Sequence, residues 1–208
     1  MSAATLAPAA SAAEASRPAS WLGAALLVLL LAAAAAMALR WPVPERAGGL
    51  SAAEVAEGPE ALRRALARHL ERNPRDGRGW VLFAMMEFEA DRFESAAAAF
   101  ERGIAASTKV ASDPAVWCEY ADALGMAQGG SLAGKPTELI ERALSLQANH
   151  PKALEMAGSA AFERRDFAAA VTHWRHLLPQ LPEGSQMHGE LSTAIERAER
   201  LAATSLKP

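Results

Sequence analysis

The amino-acid composition and the apolar periodicity of the sequence predict an all-α fold. Alanine accounts for 51 of the 208 residues, whereas valine, isoleucine and threonine together account for only 16. Because alanine is the best helix former and β-branched residues are the usual material of strands, a mainly β fold is excluded. An apolar pattern also recurs at an interval of 37 residues, which is typical of stacked helical repeats.

The first forty residues divide into a polar tail and a long apolar segment. Residues 1–20 are rich in alanine, serine and proline, which predicts a disordered tail. Trp21–Leu39 contains no charged residue and, as a helix, would extend about 28 Å, close to the roughly 30 Å hydrocarbon core of a bilayer. Arg40 and Trp41 follow it, as interfacial residues do. This part of the sequence therefore predicts one transmembrane helix over residues 21–40.

The main alternative for this segment is a cleaved signal peptide. Small residues between positions 32 and 38 would suit cleavage, but the apolar run is longer than a usual signal sequence and only one arginine precedes it. The flanking charges leave the orientation in the membrane open, because long C-terminal domains translocate largely regardless of such charges. Residues 41–58 are rich in proline and glycine, which predicts a linker.

A repeated pattern follows the linker. Trp80, Trp117 and Leu154 are spaced by 37 residues, and each is followed three and four positions later by an apolar and then a small residue. These pairs are Phe83-Ala84, Tyr120-Ala121 and Ala157-Gly158. A small residue at this place lets a neighbouring helix approach closely. The pattern predicts a tetratricopeptide-repeat solenoid of about three units, each with an A helix, a turn and a B helix, plus flanking helices.

Capping residues and prolines give the boundaries of the helices. Proline suits the first turn of a helix, where its missing N–H costs nothing, and several predicted helices begin with one. The predicted helices cover residues 59–72, 78–90, 93–106, 114–127, 136–147, 151–164, 167–179 and 185–203. The last is a polar terminal capping helix. The predicted repeat domain is thus 59–203, with a C-terminal tail at 204–208, and Trp80 and Trp117 are predicted to be mostly buried.

The sequence contains no catalytic motif, and we expect no enzyme activity, cofactor or metal. A net charge of −3 gives no basic excess for binding nucleic acid. Cys118 is the single cysteine, which excludes an internal disulfide and a paired-thiol redox motif. His173 and His176 have a spacing that could place both on one metal ion, but no carboxylate or cysteine completes an evident site.

The predicted functional site is a peptide-binding groove lined by the A helices. Its residues are Arg78, Leu82, Met85, Phe88, Glu89, Glu119, Asp122, Met126, Lys152, Glu155, Met156, Ser159 and Phe162. The mixture of methionine and phenylalanine with acids suits an amphipathic helical ligand that carries a basic residue. Arg78 and Lys152 could hold a carboxylate of the ligand. For any single methionine or phenylalanine, a packing role is the alternative.

Two stretches carry a resemblance to a known family. The sequence LARHLERNPRDGRGW at residues 66–80 and the insertion GMAQGGSLAG at residues 125–134 are similar to the tetratricopeptide domain of c-type cytochrome biogenesis proteins of the CcmI/CycH/NrfG type. The insertion is far more specific than the repeat pattern, and the resemblance covers about residues 60–203.

The resemblance implies a bacterial inner-membrane protein with its repeat domain in the periplasm. Together with the one apolar segment at residues 21–40, this predicts a single-pass anchor. Its partners would be apocytochrome c, recognised by its C-terminal helix, and the subunits of the haem-ligation complex. Two alternatives stay open: an assembly factor for a cytochrome c nitrite reductase, and a generic envelope scaffold that joins folded subunits.

Overall fold

The computed structural model describes residues 58–205, which form nine α-helices and one 3-10 turn. The elements are α1 (Pro59–Arg72), α2 (Gly77–Phe88), α3 (Phe93–Ala106), α4 (Thr108–Ala111), α5 (Pro114–Ala127), α6 (Lys135–Leu146), α7 (Pro151–Glu163), α8 (Phe167–Leu177), the 3-10 turn Leu178–Gln180 and α9 (Gln186–Ser205). These residues include no strand, so the all-α prediction is confirmed for this part of the chain.

Each predicted helix begins and ends within two residues of its predicted bounds. The short helix α4 was not predicted, because four residues are too few to show a helical period. Ser107 caps it by accepting a hydrogen bond from the Val110 N–H. Helix α9 runs to Ser205, two residues into the predicted tail. Among residues 58–205, no helix is both long enough and apolar enough to cross a membrane, and the predicted segments 1–20 and 21–40 lie outside the described residues.

The helices form three successive helix–turn–helix units. Helices α2 and α3 are the A and B helices of unit 1, α5 and α6 those of unit 2, and α7 and α8 those of unit 3. Each B helix also packs on the A helix that follows: α3 on α5, α6 on α7, and α8 on α9. Helix α1 packs on α2 ahead of the first unit. The fold is therefore a linear stack in which each unit contacts mainly its neighbours.

All three A helices end in the same backbone arrangement. Just after each helix, Asp91, Gly129 and Arg165 adopt the left-handed conformation, with φ values of 56°, 78° and 63°. The next N–H then bonds to a carbonyl five residues back, as from Arg92 to Glu87 at 2.9 Å. This is the Schellman motif, which satisfies carbonyl groups that the helix end leaves without partners. In each unit this motif reverses the direction of the chain, so that helix B can pack on helix A.

Within a unit, the two helices meet where a small residue faces a large one. In unit 3, a Cβ atom added at Gly158 would overlap the indole nitrogen of Trp174. Ala84 and Phe100 of unit 1 have the same 16-residue spacing, and both are buried in one hydrophobic cluster. The larger ring, that of Trp174, goes with glycine, and the smaller ring, that of Phe100, goes with alanine. The space between the two helices is therefore filled in both units.

Trp80 and Trp117 are mostly buried, as predicted, and pack against the hydrophobic core, although neither ring is fully enclosed. The Trp80 indole N–H donates to the Pro74 carbonyl at 3.0 Å, and that of Trp117 donates to the Ala111 carbonyl at 2.8 Å. Both acceptors lie six residues earlier in the chain, before the A helix begins. These bonds hold the rings at the edge of the solenoid, whereas Leu154, at the same place in unit 3, is buried.

Helix α9 packs on unit 3 as the predicted terminal capping helix, with Glu196 and Arg200 exposed on its outer face. Leu191 lies 37 residues after Leu154 and is buried with Ile195 and Ala198 against unit 3. The repeat period therefore continues one step beyond the three predicted anchors.

Glu87 is the one charged side chain that is buried among residues 58–205. Arg92 donates to its two oxygens at 2.9 and 3.1 Å, and Arg63 of α1 donates at 3.3 Å. Both arginines also bond to Glu60. Burial alone would raise the pKa of Glu87, but hydrogen bonds from Arg92 and Ser95 and the arginine charges outweigh it and leave the pKa lowered. The network ties α1 to the first A–B turn.

Candidate peptide-binding groove

The A helices expose large apolar side chains on the predicted groove. Leu82 and Met85 of α2 are 47% and 51% exposed, and Met126 at the end of α5 is 43% exposed. Scattered single apolar residues are normal on a protein surface, so the relevant fact is that these three occupy predicted groove positions on successive A helices. They are available to a ligand without any rearrangement of the core.

Three other predicted groove residues have packing roles. Met156 is 4% exposed and lies in the hydrophobic core, so its prediction as a groove contact is wrong for this conformation. Phe88 packs edge-on against Phe93, and Phe162 packs in the same way against Phe167, with 5.2 Å between ring centroids in each pair. These pairs close the A–B turns of units 1 and 3. Both phenylalanines remain partly exposed.

Lys152 bridges two A helices instead of standing alone. Its Nζ donates to Glu119 Oε1 at 3.0 Å and to Asp122 Oδ2 at 3.1 Å, which joins α7 to α5. Partial burial would lower the pKa of Lys152, but the hydrogen bonds and charges of the two acids outweigh it and raise the pKa. The cluster keeps one net negative charge. Its lysine is already engaged, which weakens the prediction that Lys152 holds a ligand carboxylate.

The remaining predicted groove residues are exposed or partly exposed. Arg78 lies near the start of α2 and Glu89 directly after its end. Glu155 of α7 accepts a hydrogen bond from the Ser159 hydroxyl at 3.1 Å. Acids therefore outnumber bases among the predicted groove residues, with four carboxylates against Arg78 and Lys152.

The insertion between α5 and α6 is held by a residue outside the predicted site. At the end of α7, the Glu163 carboxylate accepts hydrogen bonds from the Leu132 N–H at 2.9 Å and the Ser131 hydroxyl at 3.2 Å. The Gln128 side chain donates to two carbonyls within the same loop. Glu163 thus joins the loop of unit 2 to the end of helix A in unit 3. The position of Glu163 in the repeat did not reveal this role, because its partners lie 31 and 32 residues away.

Cys118 is fully buried in α5, with its Sγ 3.7 Å from Nδ1 of His150. Burial raises the pKa of the thiol to about 12, against an opposing effect of the Lys152 charge. His173 and His176 both lie on α8, and burial of His173 lowers its pKa. Within the described part of the chain, no three histidine, cysteine, aspartate or glutamate side chains are placed to hold a metal ion.

Comparisons with known proteins identify relatives of this chain. The model of a family described as "Cytochrome c-type biogenesis protein H TPR domain" matches residues 44–188. Cytochrome c-type biogenesis protein CycH of Bradyrhizobium diazoefficiens is 33% identical over 159 residues, which cover 76% of this chain and 42% of that protein. CycH of Pseudomonas aeruginosa is 30% identical over 192 residues, covering 90% of this chain and 45% of that protein. The chain therefore spans less than half the length of these curated relatives.

A solved structure shares the fold. The crystal structure of MamA superposes with a TM-score of 0.54 at 12% sequence identity, covering 74% of this chain and 94% of that one. At this identity the likeness concerns the helical repeat architecture alone.

Proposed function

The chain belongs to the tetratricopeptide-repeat family of cytochrome c-type biogenesis protein H, and on that premise we propose that it is a non-enzymatic adaptor in the maturation of c-type cytochromes. It binds apocytochrome c through the C-terminal helix of that protein and delivers it to the subunits of the haem-ligation complex. The family match over residues 44–188 is the observation that carries this proposal. Holding the apoprotein near its partners raises its effective concentration there.

The exposed apolar residues of the A helices supply a physical basis for binding. A helical ligand needs a surface that accepts apolar side chains at i, i+3 or i+4, and i+7. Leu82, Met85 and Met126 offer such contacts, and methionine adapts to different ligand sequences because its side chain is flexible. The acids of the groove favour a basic residue on the ligand, next to the cluster of Glu119, Asp122 and Lys152.

We expect that one or two of the variants Leu82→Ala, Met85→Ala and Met126→Ala weaken binding of an apocytochrome C-terminal peptide by about 2 kcal/mol, with the rest near neutral. Truncation removes apolar contacts that only the bound peptide buries. Calorimetry on the full chain measures the effect. The matched control is Met187→Ala, since this methionine is 61% exposed but lies on α9. Equal binding by all three groove variants and the wild type would place the ligand elsewhere.

A deletion strain stained for covalent haem tests the role in the cell. We expect the c-type cytochromes to lose covalently attached haem, because every client would lack its adaptor. Loss of a single cytochrome would instead favour an assembly factor for one enzyme, such as a nitrite reductase. Normal haem staining would favour a generic envelope scaffold and contradict the proposal.

We further propose that Trp21–Leu39 remains as an uncleaved inner-membrane anchor with the repeat domain in the periplasm. An alkaline phosphatase fused after residue 208 is then expected to be active, because this enzyme matures only outside the cytoplasm. The intact mass of the purified chain should show that residues 1–20 are still present. A mature N-terminus near residues 37–39 would show cleavage, and an inactive fusion would contradict the orientation.

A further inference from the structure

Two partly exposed tryptophans each carry a stacked arginine. The Arg102 guanidinium carbon lies 4.9 Å from the Trp80 ring centroid, and that of Arg142 lies 5.6 Å from the Trp117 ring centroid. Both distances are within the range of cation–π attraction. Because each indole N–H is bonded to a backbone carbonyl, the rings are fixed in place. The same arrangement therefore recurs, preformed, in units 1 and 2.

Neither of these arginines has an acidic partner among the described residues. Arg63, Arg92 and Arg175 all form ion pairs, but Arg102 and Arg142 form none. Apart from the stacking, Arg142 makes only a 3.4 Å hydrogen bond to the Ser145 hydroxyl. A stacked guanidinium keeps its N–H donors at its edges, where a carboxylate can accept two of them at once. Both cations are thus oriented but not neutralised.

An open hollow lies beside the first of these stacks. It has a volume of about 380 Å³ and is lined by Pro74, Trp80, Arg102, Ala105 and Ala106. Its floor is apolar and Arg102 provides its charge, so it suits an apolar side chain next to an acid. It lies where helix A begins and helix B ends, whereas Phe88 and the A–B turn lie at the opposite end of the unit.

We propose that this surface, the Trp–Arg face (Trp80, Arg102, Trp117 and Arg142), docks an acidic segment of a partner protein. One carboxylate binds each guanidinium, and an apolar side chain enters the hollow beside Trp80. Charge complementarity favours an acidic partner, because neither guanidinium forms an ion pair with a carboxylate of residues 58–205. Unit 3 has Leu154 and His176 at the corresponding positions, so the face ends after two stacks. The inference does not depend on the groove.

Synthetic peptides test the proposal with the full 208-residue chain. The probes are fluorescent twelve-residue peptides with one phenylalanine and two glutamates at increasing separations, and a matched set with lysine in place of glutamate. We expect glutamate peptides to bind, with affinity that falls as salt rises, and lysine peptides not to bind. The double variant Arg102→Glu/Arg142→Glu should lower the affinity at least tenfold.

Two control variants separate this face from the rest of the surface. Arg200→Glu makes the same charge change on an exposed arginine of α9, and Met85→Ala alters the groove; both should bind glutamate peptides as the wild type does. Circular dichroism checks that every variant is folded. Equal binding of lysine and glutamate peptides, no binding by either set, or unchanged affinity in the double variant would overturn the proposal.

Discussion

Arg92→Ala should lower the free energy of unfolding by about 3 kcal/mol, because it leaves the buried Glu87 carboxylate without its main partner. Glu87 is 2% exposed and takes two of its three arginine hydrogen bonds from Arg92. Arg63 alone, at 3.3 Å, cannot replace both. Denaturant unfolding followed by circular dichroism measures the loss.

Two variants show whether the burial of Glu87 causes this loss. Arg175→Ala removes an arginine from an exposed ion pair with Glu199 and should cost less than about 1 kcal/mol. Adding Glu87→Leu to Arg92→Ala should recover part of the stability, since it removes the unpaired charge and Leu124 stands at the corresponding position of unit 2. A double variant that is less stable than Arg92→Ala alone would contradict this account.

The same network predicts how the loss depends on pH. In the wild type the pKa of Glu87 is lowered, so its stabilisation is complete above the ordinary glutamate pKa of about 4.3 and is lost as the pH falls through the lowered value. Without Arg92, burial dominates and favours the neutral acid. The stability difference between wild type and Arg92→Ala should therefore shrink as the pH falls from 7 towards 4. A constant difference across that range would contradict the role of Glu87.

Gly158→Ala should destabilise the chain by about 3 kcal/mol, although alanine is the better helix former. The added methyl group would occupy the space of the Trp174 indole ring. That ring cannot move aside cheaply: it is 6% exposed, its N–H lies 3.3 Å from the Glu155 carbonyl, and Phe162 packs against it with 5.8 Å between ring centroids. Thermal and denaturant unfolding measure the change.

Another helical glycine gives a control of opposite sign. Gly189 lies in α9, and an added Cβ would meet no atom within 4 Å other than those of its neighbours and its own helix backbone, so Gly189→Ala should stabilise the chain by up to about 1 kcal/mol. Adding Trp174→Phe to Gly158→Ala should restore part of the loss, because it recreates the combination of Ala84 with Phe100 in unit 1. If Gly158→Ala is as stable as the wild type, the helices of unit 3 are not packed as described.

The helices could be predicted from the sequence because the residues that mark their ends and the spacing of the repeat are local signals. Proline at the first turn and the 37-residue spacing place most helix ends within two residues. Helix α4 could not be predicted, because four residues are too few to show a helical period. The packing of α9 on unit 3 also has a signal in the sequence, since Leu191 continues the spacing of Trp80, Trp117 and Leu154.

The candidate site was less predictable, because its details depend on contacts between distant residues. Lys152 finds its acidic partners 30 and 33 residues earlier in the chain, and no local pattern indicates that pairing. Burial depends on how each helix is rotated against its neighbours, so Met156 lies in the core while Met85 is exposed. The burial of Glu87 does have a signal in the sequence. The corresponding residues of the other units, Leu124 and Ala161, are apolar, so Glu87 is a charged residue at a position where apolar side chains pack.

The burial of Cys118 has a consequence for thiol–disulfide exchange. Exchange requires a thiolate that can reach the other sulfur, and burial raises the pKa of Cys118 to about 12, so the protonated thiol dominates at neutral pH. The side chain is also fully enclosed, so neither an oxidant nor a second thiol can approach it. We therefore expect Cys118 to remain a free thiol as long as the chain is folded.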